Sequence, residues 1–263
     1  MKRINIFTKI VFICDLHIPY EDKKIVELII KFLEDYKPEY LILGGDIIDF
    51  YSLSKFNKDP KRALDIQKDL DKTFNFLKKL RDLLPKTEII YIKGNHESRL
   101  KKYKWSKAPE LAYLRCLSYE KLFRLEELNI KWEDKRWNFG KAWFMHGDKL
   151  SKHSGDSARK NREEYGVNCI TAHSHRTGKS NLTNLGGNYG AWESGCLCSL
   201  NPEYMESLPN WQQGFSVITD YKQKIFYVNN IDIVKQSFIF NNKLYTLNKV
   251  WEEEFNSDTS LGS

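Results

Sequence analysis

Three short apolar runs constrain this chain more than any other feature. "KIVFICD" (9–15), "YLILGGD" (40–46) and "EIIYIKG" (88–94) each read as a buried strand. The segments between them have helical spacing. In "DKKIVELIIKFLEDY" (22–36) the apolar residues are Ile25, Leu28, Ile29, Phe32 and Leu33, and Pro38 stops the run. "KRALDIQKDLDKTFNFLKKLRDLL" (61–84) is a second, longer amphipathic helix, ended by Pro85. A β-α-β-α-β order predicts parallel strands joined by right-handed crossovers.

The rest of the chain reads differently. Residues 97–128 look mainly helical and basic. "IKWED" and "KAWFMHGD" look like strands around a turn, and "VNCITAHSH" (167–175) like another strand. From residue 177 the pattern changes to short strands and turns, which predicts a mostly antiparallel half packed on the parallel strands. The residues after Trp251 are acidic and serine-rich and are expected to fray. With no linker and no repeat, residues 1–250 read as one domain and 251–263 as a flexible tail.

Composition sets broad limits. At 263 residues and 41% hydrophobic, the chain can build a sizeable core. The formal charge of +7 fits an anionic substrate but does not by itself predict nucleic-acid binding. Five cysteines without C-x-x-C spacing read as reduced thiols. Cys196 and Cys198 form C-x-C, which suits either a soft-metal site or two strand positions sharing a face. Lys9 interrupts the apolar N-terminus, so it does not read as a signal peptide. No run is long enough to span a bilayer, and a cytoplasmic protein without a membrane partner is expected.

Function is concentrated where strands end. The first strand runs into Asp15 and His17, the second into Asp46 with Asp49 three residues on, the third into Asn95, His96 and Glu97. "WFM" ends in His146, and the last of these strands in His173 and His175. Of six histidines, only His153 lies elsewhere. Any one alone would read as a surface or satisfied core residue. Five together, beside carboxylates at strand termini, point to one pocket. Mixed oxygen and imidazole donors suit Mn, Fe or Zn better than Ca or Mg.

D-x-H, G-D-x-x-D, G-N-H-E, H-G and H-x-H, in this order over residues 10–176, resemble the calcineurin-like metallophosphoesterases. "GCLCSLNPEY" and "NWQQGF" look like the phage-encoded members. The resemblance implies an α/β fold, a four-layer α/β/β/α sandwich of two mixed sheets. It implies two divalent ions, with Mn²⁺ the best fit and Fe, Zn or Ni as alternatives. Asp15, His17 and His175 would hold one ion, Asn95, His146 and His173 the other, and Asp46 both. His96 would face the leaving group as an acid, with Asp49 keeping it protonated; a helix N-cap is the bland alternative for Asp49. Such a pair activates water and clamps attacking and leaving oxygens.

Three departures from the family matter. Phe50 stands where the protein Ser/Thr phosphatase branch has Arg, Ile18 where it has Gly, and Ala172 precedes H-x-H in place of the usual Gly. The chain therefore does not read as a protein phosphatase. "ESRLKKYKWSK" (97–107) offers Arg99, Lys101, Lys102 and Trp105 as substrate contacts, because basic residues interleaved with aromatics can track phosphates and stack bases. The bland alternative is a solvated helix face. A second basic stretch, "KLSKHSGDSARKNR" (149–162), is expected to add charge around the pocket. The expected activity is phosphoester hydrolysis, as a phosphodiesterase or nuclease on nucleic-acid or nucleotide substrates. A phosphomonoesterase acting on protein or nucleic-acid ends is the alternative, and a non-catalytic binding module of the same fold a third.

Overall fold

The computed structural model describes residues 6–59, 65–201 and 209–260. The three apolar runs form β1 (Phe7–Ile13), β2 (Tyr40–Leu43) and β3 (Glu88–Ile92), paired in parallel in that order. Helices α1 (Lys23–Tyr36) and α2 (Ile66–Leu83) are the crossovers. The Asp22 carboxylate caps α1 by accepting from the Lys24 and Ile25 amides, and Asp65 caps α2 from Lys68. Residues 61–64, where the second helix was expected to begin, lie outside the described residues. Next come α3 (Glu97–Lys107), α4 (Tyr119–Leu122) and β4 (Ile130–Glu133), which extends the parallel array beyond β3.

The second sheet is built from β5 (Arg136–Phe139), β6 (Ala142–Met145), β7 (Asn168–Thr171), β8 (Thr177–Asn184) and β9 (Gly187–Ser194), with α5 (Asp156–Tyr165) between β6 and β7. Its order is β5-β6-β7-β9-β8. Strands β6, β7 and β9 are parallel, and the two edges are antiparallel.

The expected division near residue 177 is not what the chain does. Strands β10 (Gly214–Tyr221) and β11 (Ile225–Asp232) return to the first sheet, giving the order β11-β10-β1-β2-β3-β4. Strands β5 to β7, which precede residue 177, belong to the second sheet. Alternation in a sequence marks a strand but not its sheet; here β10 covers the otherwise open edge of β1, antiparallel to it. A hairpin of β12 (Ser237–Phe240) and β13 (Lys243–Thr246) follows. Residues Lys249–Ser260 form a helix, α6, and residues 261–263 of the expected tail lie outside the described residues.

Side-chain alternation makes four layers. Val11, Ile13, Leu41, Leu43, Ile89 and Tyr91 face α1 and α2. Ile10, Phe12, Ile42, Ile90 and Ile92 face Ala142, Phe144, Ile170 and Trp192 of the second sheet. Beyond it, Met145, Cys169 and Ala191 pack on Ala158 of α5. Helices, sheet, sheet and helix thus stack in the expected α/β/β/α order.

The inter-sheet layer generates a stability test. Phe144 is fully buried, its ring centroid 5.9 Å from that of Phe12. Phe144→Ala should cost about 3–5 kcal/mol in urea unfolding. Ile239→Ala, at a position 64% exposed, should stay within about 0.5 kcal/mol.

Candidate metal centre

The carboxyl ends of β1, β2, β3, β6 and β7 all point to one place. Beyond the last ladder bonds the β1 and β2 loops remain zipped together: the Asp15 amide donates to Gly45 O, the His17 amide to Asp46 O and the Ile18 amide to Ile47 O. The backbone there is unusual. Asp15, His17, Asp46, His173 and His175 all have positive φ, between 52° and 70°. Non-glycine residues held left-handed cost about 1–3 kcal/mol each and persist only where the surroundings over-determine them. In D-x-H and H-x-H alike, two left-handed residues flank a buried one, Leu16 or Ser174.

Glu97 supplies much of that over-determination. It is fully buried. One carboxylate oxygen accepts from the Asp46 and Gly94 amides at 3.0 and 2.8 Å; the other accepts from the Ile47 amide at 2.9 Å and the Tyr91 hydroxyl at 2.8 Å. The last residue of G-N-H-E is therefore a clamp that binds the Asp46 loop to the end of β3. Its partner Gly94 has to be glycine, since a Cβ there would lie 2.1 Å from Asp46 Oδ1. Sequence reading placed Glu97 in the cluster but gave it no task; the only signal was an acid directly after the histidine.

The donors fall into two groups. Asp15, His17 and His175 bring ligand-type atoms within 4.8 Å of one another, and so do Asp46, His146 and His173; Asp46 also groups with His17 and His96. Asn95 Oδ1 lies 2.9 Å from His146 Nε2. All seven residues expected as ligands therefore meet. The arrangement fits cations. Asp15 Oδ1 is buried without a hydrogen-bond partner. His146 donates from Nδ1 to Gly44 O at 2.9 Å, which turns its Nε2 lone pair toward Asn95 Oδ1 and Asp46 Oδ2, both acceptors. His17 Nε2 and His175 Nε2 face each other at 3.0 Å beside the Asp15 carboxylate. Such a knot of lone pairs needs protons or metal ions among them, and carboxylate, amide and imidazole donors suit divalent transition ions.

Asp49 has two tasks, one of which the sequence did not suggest. Its Oδ2 accepts from His17 Nδ1 at 3.2 Å and lies 3.1 Å from His96 Nδ1. It thus orients a candidate ligand as well as the candidate acid. Asp49 does not cap a helix; Arg99 donates to its Oδ1 at 2.8 Å and to its carbonyl oxygen at 2.9 Å. A second Arg99 N–H donates to His96 Nε2 at 3.0 Å.

Electrostatics follow from burying these groups together. Burial would raise the Asp49 carboxyl, but hydrogen bonds from His17 and His96 hold it well below the carboxylate range. Burial opposes charge on His146, yet Asp46 outweighs it and pushes the imidazole up to about 9. His175 is likewise pushed up to about 9, burial being outweighed by Asp15 and Cys198. His173, lacking so close a carboxylate partner, is pushed down to about 4 by burial and by His146. All five cysteines are free. Cys196, Cys198 and His175 form a third compact group of donors, with Cys198 Sγ 3.9 Å from His175 Nδ1. The C-x-C therefore backs a histidine of the main cluster.

A cavity of about 570 Å³ opens over the cluster, lined by His17, Asp46, Asp49, His96, His173 and His175, with Tyr51, Phe56, Arg99 and Trp211 at its walls. Trp211 packs edge-on to His175, with ring centroids 4.3 Å apart; it lies in "NWQQGF", a stretch whose resemblance to phage-encoded members assigned it no role in the site. A larger hollow of about 710 Å³ beside Lys141 and Tyr189 contains no acid and no histidine. Of the expected substrate contacts, Arg99 lines the site cavity, and both Arg99 and Lys102 line an adjoining one. Lys101 lies over the Trp105 ring at 4.5 Å, and neither lines these cavities. The helical period explains this, since residues 99, 102, 103, 106 and 107 share one face of α3 and 101 and 105 share another. The second basic stretch adds little charge around the pocket. Lys149 pairs with Glu164, Arg159 with Asp156 and Glu163, and Arg162 is turned inward onto Ser180 O.

Two outcomes test this geometry. Glu97→Ala strands three buried amides and should destabilise the fold by about 3 kcal/mol or more in denaturant unfolding, with Glu97→Gln losing less. In the metal-free protein His146 and His175 hold protons up to about pH 9. Their folded pKa lies above the unfolded value of 6.5, so they stabilise the metal-free fold below that pH and lose the effect as pH rises toward 9. A metal must displace those protons. Calorimetry in buffers of different ionisation enthalpy should show net proton release on metal binding at pH 7, from His17 as well as His146 and His175, and affinity rising with pH.

Comparison with known proteins gives a family match. The calcineurin-like phosphoesterase family model matches residues 8–234. The Gene 54 proteins of Mycobacterium phages L5 and D29 are each 27% identical over 226 residues, covering 80% of this chain and 88% of theirs. Among solved structures, zinc-complexed Vps29 of Entamoeba histolytica aligns over 88% of this chain and 96% of its own at 12% identity and a TM-score of 0.47. Among the described residues no helix is long and apolar enough to cross a membrane. A family match running from β1 into the segment beyond β11, together with five motifs gathered at strand ends, leads to one conclusion: this chain belongs to the calcineurin-like phosphoesterase family.

Proposed function

We propose that this chain is a dinuclear metal-dependent phosphoesterase that prefers phosphodiesters of nucleic acids or nucleotides. The observation that carries the reading is two donor groups meeting at Asp46 on the floor of a cavity that also presents His96 and Arg99. Asp15, His17 and His175 would hold one ion, and Asn95, His146 and His173 the other, with Asp46 shared. Mn²⁺ suits the donors best, and Fe, Zn and Ni are alternatives. When bound, the pair supplies Lewis acidity and an activated water.

The chain's own groups do the rest. Asp49 accepts from both His17 and His96 and so fixes two imidazoles with one carboxylate. In the free protein Arg99 donates to His96 Nε2, so that nitrogen is an acceptor. For His96 to hand a proton to a leaving oxygen, Arg99 must exchange the imidazole for phosphate oxygens, which a guanidinium binds better. Substrate entry then frees the Nε2 of His96. None of the residues that the reading needs is missing, which argues against a non-catalytic binding module. Arg99 and Lys102 suit a substrate that continues beyond its phosphate, which favours diesters over monoesters. The phage relatives support a phage-encoded protein acting in the host cytoplasm.

Hydrolysis of bis-p-nitrophenyl phosphate against p-nitrophenyl phosphate, with Mn²⁺ and Zn²⁺ titrated, tests the reading; preference for the monoester would favour an end phosphatase. His96→Asn should retain metal and lower turnover by about 10²–10⁴-fold, less for a good leaving group such as p-nitrophenolate. Asp49→Asn should reduce both turnover and metal affinity, because it also loosens His17. Metal lost from His96→Asn with full activity per bound ion would make His96 a ligand and not an acid.

A further inference from the structure

The metal centre does not sit at the end of its cavity. Asn95 lines three hollows: the site cavity, one of about 560 Å³ running along α3, and one of about 450 Å³ on the opposite side, beyond His146. The α3 arm shares Ser54, Phe56, Asn95 and Arg99 with the site cavity. Lys102, Lys107 and Tyr103 line it, and Phe56 stands 68% exposed at the junction. The opposite arm contains Asn95, His146, Lys93, Lys135 and Arg136, with Asp134 paired to Lys93 and Asp148 the second acid, so the cations exceed the acids by one. Each arm thus offers cations, and the α3 arm adds exposed aromatic faces. A monoester has substituents on one side of phosphorus only and would leave one arm empty.

We infer that the three hollows form one groove for single-stranded polynucleotide, with an internal phosphodiester seated at the metal centre and nucleotides bound on both sides. This rests on the phosphoesterase reading and adds the direction of the chain through the site. Lys102 and Lys107 meet backbone phosphates on one side and Lys135 on the other, while Phe56 stacks a base next to the scissile bond. A duplex keeps its bases stacked on each other and offers no such face. In the reaction a water oxygen gives up a proton to solvent and bonds to phosphorus, the P–O bond to one sugar breaks, and that sugar oxygen takes a proton from His96, which solvent then restores. One phosphomonoester end and one hydroxyl end result.

The test uses covalently closed circular single-stranded DNA, which has no ends, with the Mn²⁺-loaded protein. Circles should be opened and then fragmented. Intact circles alongside hydrolysis of bis-p-nitrophenyl phosphate by the same preparation would overturn the groove and leave the phosphoesterase reading standing. Failure on the small diester with wild-type protein would instead count against that reading. Binding decides the groove independently of turnover, read by fluorescence anisotropy of a labelled ten-residue oligothymidylate. Phe56→Ala should weaken it at least about fivefold. Lys102→Ala with Lys107→Ala, and Lys135→Ala separately, should each weaken it and lower the salt slope by about 0.7 per lysine removed. Melting curves confirm that the variants are folded. Variants of either arm that bind as wild type does would overturn the inference.

Discussion

Asp15 and Asp46 are buried almost completely, in the same few ångströms as five imidazoles. Carboxylates taken out of water are costly unless cations or strong donors meet them. In the free protein protonated His146 and His175 provide part of that compensation. Their raised pKa values follow from it: protons sit where the metal-type donors converge. Much of the architecture bears on keeping these two carboxylates in place. The Asp15 and Asp46 loops zip together beyond the sheet, Glu97 gathers the amides of the Asp46 loop, and Asp15 accepts the His173 amide through its second oxygen.

The fold serves this by stacking two sheets face to face with their carboxyl ends at the same rim. Strands β1 to β3 deliver Asp15, Asp46 and Asn95, and β6 and β7 deliver His146 and His173 from the other sheet. Packing between Phe12 and Phe144 therefore does more than stabilise the core: it sets the distance between the two halves of the site. The left-handed residues carry the remaining geometric demand. Strain concentrated at Asp15, His17, Asp46, His173 and His175 is what aims side chains from neighbouring loop positions into one volume.

What could be read from the sequence follows from what period and spacing encode. The β-α-β-α-β half was legible because apolar runs and helical spacing are local signals, and a pocket of Asp, Asn and His side chains because these stand at strand ends; the division into seven ligands and one acid came only from the family resemblance. Sheet membership of β10 was not legible, since alternation does not name a partner. Three contacts were also hidden. Glu97 acts through backbone amides, Asp49 through His17, and Arg99 through His96, and none of these pairings leaves a mark in spacing. Lys101 and Trp105 were grouped with Arg99 and Lys102 by nearness in sequence, while the helix places them on another face, outside the two cavities that Arg99 lines.

The central claim is that the converging donors hold two ions through one shared carboxylate. Elemental analysis of the protein after Mn²⁺ loading and removal of free metal tests this most directly, with Asp46→Asn measured in parallel. The expected result is two ions per wild-type chain and a marked loss in the variant, because removing Asp46 weakens both positions. One ion or none in the wild type, or an Asp46→Asn variant that still retains two, would contradict the account.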